Sequence, residues 1–335
     1  MLSKHKQKKI KMKKLLFIFT LTLLFACGYE TKRLSNDIPT ATIDPNIDYL
    51  IQNNSIGQLV AINHQKIKDL KGDFKSFKNY IDKLDNDSLT SIPFALDYIK
   101  TCIPIESANL DSAFLLFNIK FYTIVNKLTV SIDTKYKTIM GQFANDSNTV
   151  ELKSFKDNLA ACGVDILSSE GMYYLDVVSD FFYENFKNRV SPGVAGFLFI
   201  RKDELKQGFS EDAGLVISFD ELYGRIKSWE RFINKFPNTI FKEEANSYYQ
   251  MYLSTLITGM DNSRVFDGEN NSISPEIKTL YEKIITEDIE SPTTKIMSSY
   301  YSFLARHDFK ENDSSQLFLN AINLSTMLAV QPPTR

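Results

Sequence analysis

Three residue types could carry chemistry in this chain: three cysteines, a few histidines and a set of clustered aromatic and acidic side chains. Cys27 sits at the end of an apolar run, "LLFIFTLTLLFACGYE". Cys102 and Cys162 lie on apolar faces of helical patterns, which predicts buried thiols; only one disulfide pairing is open to them. His64 and His307 stand far apart in sequence, and neither has a metal-type neighbour. His307 follows Arg306 at a predicted helix end, where a cation suits the helix dipole. No His-Glu-x-x-His, Gly-x-Ser-x-Gly or phosphate-cradling glycine pattern is present, so no nucleophile–base pair is apparent. The acid-rich loop "TGMDNSRVFDGENNS" carries Asp261, Asp267 and Glu269, oxygen donors of the kind that hold calcium. Its order is not that of an EF-hand, and a plain connecting loop is the alternative. Trp229, Tyr248, Tyr249, Tyr300 and Tyr301 are the candidates for an aromatic binding groove; helix-to-helix packing is the plainer reading of the same rings.

The elements that position these residues begin with a leader. Residues 1–14 hold seven lysines and no acid, and twelve residues from Leu15 to Ala26 follow with only Thr20 and Thr22 as interruptions. That run is too short for a membrane span, which needs about 20 apolar residues, and has the form of a secretory signal. Leu24-Phe25-Ala26-Cys27 resembles the lipobox of bacterial lipoproteins, with Phe25 larger than the residue usual at its place. The resemblance implies cleavage before Cys27 and acylation there, so that the membrane is a partner through lipid. Without residues 1–26 the chain keeps 32 basic and 41 acidic residues, a formal charge of −9. An acidic body of this kind disfavours nucleic acid and anionic lipid as partners.

Residues 27–46 read as a polar tether, 47–190 as an N-terminal helical region and 191–335 as a C-terminal helical-hairpin region. Glycine and proline are scarce, 13 and 10 in 335 residues, which favours long helices. The segments 107–143 and 170–190 read as helices, 194–208 as strand or helix. Ser218 and Glu221 form a capping-box pattern. Leu222, Ile226, Trp229, Ile233 and Phe236 then stripe one face until Pro237-Asn238, and a second stripe runs from Phe241 to Leu256. Segments 229–252 and 281–304 align without gaps at an offset of 52, matching Glu230, Ile233, Ser247, Tyr248 and Tyr249 to Glu282, Ile285, Ser299, Tyr300 and Tyr301. The stretch from Trp229 to Thr239, with Ala245, Tyr248 and Tyr252, resembles the tetratricopeptide-like repeats of bacterial envelope lipoproteins such as those of the barrel-assembly machinery. The Pro-Asn turn is absent from the second copy, and the offset is longer than that family's repeat.

The expected fold is all-α, an array of antiparallel helical hairpins, tetratricopeptide-like or an irregular α-solenoid. The expected function is a binding or scaffold module for a protein or small ligand in the cell envelope, lipid-anchored at the outer membrane and facing the periplasm, with a protein as the expected partner and no cofactor. The alternatives are an envelope glycan hydrolase using paired carboxylates and a short helical nutrient-binding lipoprotein.

Overall fold

The computed structural model describes residues 56–169, 171–311 and 313–321. The leader, Cys27 and the tether lie outside the described residues. The fold is all-α: thirteen helices and three short two-stranded antiparallel hairpins account for the regular structure among the described residues. In chain order these are α1 (Ile56–Ile67), α2 (Phe74–Lys83), α3 (Ser91–Cys102), α4 (Leu110–Lys135), α5 (Lys137–Ala144), α6 (Val150–Ala161), β1 (Val164–Ser169), β2 (Met172–Val177) and α7 (Phe181–Phe186). Then follow α8 (Pro192–Gln207), β3 (Ser210–Glu211), β4 (Gly214–Leu215), α9 (Phe219–Lys235) and α10 (Lys242–Thr258). The last elements are β5 (Gly259–Met260), β6 (Ser263–Arg264), α11 (Pro275–Thr286), α12 (Pro292–Arg306) and α13 (Asp313–Ala321). No helix among the described residues is long and apolar enough to cross a membrane.

Helix α4 is the central element of the N-terminal half. Phe114, Phe117, Phe121, Ile124, Leu128 and Ile132 recur at three- and four-residue spacing and are all buried. Lys120, on the same helix, is also buried; its ammonium donates to the Leu84 carbonyl at the end of α2. The buried hydrophobic core includes residues on both sides of residue 190. Phe114 meets Phe186 and Phe241 edge-on, at 4.7 and 5.9 Å, and Phe241 stacks on Phe197 of α8 at 4.3 Å.

Two local expectations are corrected. Residues 170–190 are not one helix: β2 pairs with β1 in the register Ile166↔Leu175, and only Phe181–Phe186 is helical. Gly163 explains the departure. Its φ of +74° turns the chain out of α6, and a Cβ there would lie 2.2 Å from the Phe181 ring. The apolar stripe of 172–177 is thus spent against a strand and against α4, where Leu175 N donates to Thr129 Oγ1 at 3.0 Å. Residues 194–208, ambiguous in sequence, are helical up to Gln207. Ser191 caps α8 by accepting from Val194 N, Pro192 occupies its first turn, and Gly208 ends it at φ +76°.

The C-terminal half follows its sequence pattern closely. Both bonds of the capping box form, Glu221 N to Ser218 Oγ at 3.2 Å and Ser218 N to Glu221 Oε2 at 2.8 Å. Helices α9 and α10 pack as one pair and α11 and α12 as another. After α8 and after α10 comes a two-residue-tipped hairpin, and the tips touch: Asn262 N donates to the Ala213 carbonyl at 3.0 Å, and Leu215 N to Ser263 Oγ at 2.8 Å.

Candidate functional site

The five aromatic residues singled out from sequence do not share a groove. Trp229 is fully buried on α9 and stacks on Tyr248 of α10 at 5.1 Å and 16°. Its indole Nε1 donates to Glu204 Oε1 at 2.7 Å, and Arg201 donates to the other oxygen at 2.5 Å. The Arg201 guanidinium also lies 4.2 Å from the Tyr248 ring centre. Burial opposes the charge of Arg201, but Tyr248 and Glu204 outweigh it, and the guanidinium holds its proton more firmly than usual. The Glu204 carboxylate therefore ties α8 to α9, and no polar atom of Trp229 is left for a ligand. Tyr249 is half-buried, with its hydroxyl 3.1 Å from Thr293 Oγ1 at the start of α12. Tyr300 is buried 6.1 Å from Tyr281, and Tyr301 donates to Glu282 at 2.8 Å. Trp229 and Tyr281 each meet the tyrosine of their own hairpin, Tyr248 and Tyr300, but Tyr249 and Tyr301 have different partners, and Glu230 is buried where Glu282 is exposed.

A second buried carboxylate works in the same way. Glu230 accepts from Ser291 Oγ at 2.9 Å, from Thr293 N at 3.2 Å and from Thr293 Oγ1, with Lys227 Nζ 3.6 Å away. These donors form the first turn of α12, so the charge of α9 sits at the positive end of the α12 dipole.

The calcium-type reading of the loop after α10 is not supported. Asp261 gives its backbone carbonyl to Arg264 Nε, and Asp267 accepts from Glu269 N at 3.0 Å, closing a tight turn. Among the described residues no three His, Cys, Asp or Glu side chains are grouped so as to hold a metal ion. Cys102 and Cys162 are free thiols. Cys102 donates to the Ile67 carbonyl at 3.2 Å, while Cys162 is fully buried, which pushes its ionisation far up.

The most chemically able group at the surface is one the sequence reading passed over. His64 of α1 and Asp97 of α3 are 33 residues apart, and the crossing of the two helices brings His64 Nδ1 to 3.0 Å from Asp97 Oδ1. Thr101 Oγ1 donates to the same oxygen at 3.0 Å, and Asn63 Nδ2 to the other at 3.3 Å. Tyr80 of α2 donates to Asn63 Oδ1 at 2.8 Å and closes the network; burial pushes its phenol well above the ordinary value. A carboxylate only accepts here, so Nδ1 of the imidazole carries a proton and donates it to Asp97. The His64 side chain is 44% exposed against 11% for Asp97. An oriented imidazole of this kind can take a proton or give one ligand to a metal. Its position inside a three-helix network equally makes it the clamp of α1 onto α3. One signal was available in sequence: Asn63 occupies a buried position in the stripe Ile56, Leu59, Asn63, Ile67, and a buried amide needs partners.

No family model matches the chain, and no curated protein or solved structure matches it either.

Proposed function

We propose that this chain is a lipid-anchored protein of the bacterial cell envelope, held by acyl chains on Cys27, whose helical body is a binding platform for a partner protein. The observation that supports the platform reading is the use made of two buried acids, Glu204 and Glu230, and of the half-buried Asp97. Asp97, Glu204 and Glu230 each join different helices: α1 with α3, α8 with α9, α9 with α12. Carboxylates spent in this way set helix-to-helix orientation and give a surface of fixed shape. The paired-carboxylate hydrolase reading gains nothing from them, because the oxygens of Glu204 and Glu230 are occupied by donors of the fold itself. The anchor rests on the lipobox-like stretch that ends at Cys27, and the acidic charge of the remaining body makes lipid rather than a basic face the means of attachment. Periplasmic orientation at the outer membrane belongs to the same proposal.

Two measurements test it. Cells grown with a labelled palmitate analogue should label the wild-type chain and leave Cys27→Ala unlabelled and released from the membrane fraction; a labelled Cys27→Ala chain refutes the anchor. Photo-cross-linkers scanned over exposed positions of the full chain in intact cells should give discrete adducts at a contiguous set of positions. A uniform absence of adducts refutes the platform.

A further inference from the structure

We draw no further inference here: the strongest candidate, the open depression of about 250 Å³ where the chain leads into α4 and α8, has its Arg189 already spent on the Ile99 and Ile103 carbonyls and its Asp111 on Ser191 N, and nothing in the structure shows what covers it.

Discussion

Replacing Glu230 by alanine should be among the most costly single changes in the C-terminal half. The side chain is 9% exposed and holds three donors from the start of α12. Two of them are hydroxyls that can turn elsewhere: Ser291 also caps Thr294 N, and Thr293 lies against the Tyr249 hydroxyl. Thr293 N has no such choice and is stranded, at about 1–3 kcal/mol for a buried donor. Lys227 loses one of its two carboxylates, and the α12 N-terminus loses a charge of the favourable sign, about 0.5–1 kcal/mol. Relief of the carboxylate's own desolvation offsets part of this, which leaves about 2 kcal/mol, somewhat less than breaking a buried ion pair usually costs. For a chain of this size that is a fall of roughly 4–8 °C in Tm. Calorimetry on Glu230→Ala, with Glu290→Ala as the reference, reads it directly: Glu290 also has a lysine partner but is 82% exposed, so its removal should be close to neutral. If the two variants melt together, the Glu230 clamp does not stabilise the fold and the account of α12 given above is wrong.

Three further outcomes follow from the same packing. Gly163→Val should cost more than about 2 kcal/mol, because a β-branched residue meets both a positive φ and the Phe181 ring, whereas Gly171→Ala, also at positive φ but in open space, should cost about 1 kcal/mol; urea midpoints compare them. Stability should fall from about pH 9.5 upward. Burial raises the ionisation of Tyr98 to about 12 and of Cys162 and Tyr281 further, while the unfolded chain ionises near its ordinary values of about 8.5–10. The unfolded state then holds fewer protons than the folded one, and unfolding free energy must decrease with pH; a flat urea midpoint between pH 8.5 and about 11 contradicts that. Under native conditions a thiol reagent should modify Cys102 slowly and Cys162 only on global unfolding, and rapid modification of both would show that α6 opens more readily than its packing implies.

The parts of the fold that local chemistry determines were legible. Ser218 and Glu221 cap α9 through residues three apart, and the stripes of α9 and α10 depend on spacing alone. The parts set by distant partners were not. The 172–177 segment has an apolar period that a helix or a strand satisfies, and only pairing with 164–169 decides between them. The aromatic candidates illustrate the same limit: their repeat was visible, but whether Trp229 faces a ligand or Glu204 depends on where α8 lies. His64 and Asp97 fare worst, because nothing in either helix announces which turn of the other it will cross.

The touching hairpin tips bear on how the chain can be altered. Two-residue turns such as Asp212-Ala213 and Asp261-Asn262 are the usual places to insert a tag or a reporter loop. Here each tip is the other's hydrogen-bond partner, through Asn262 N to Ala213 and the Asn262 amide to Asp212. An insertion at either site displaces both turns and loosens the exits of α8 and α10 together. Asn145 and Asp146, exposed between α5 and α6, offer a turn that no second turn leans on, and a label placed there reports on the body without editing its joints.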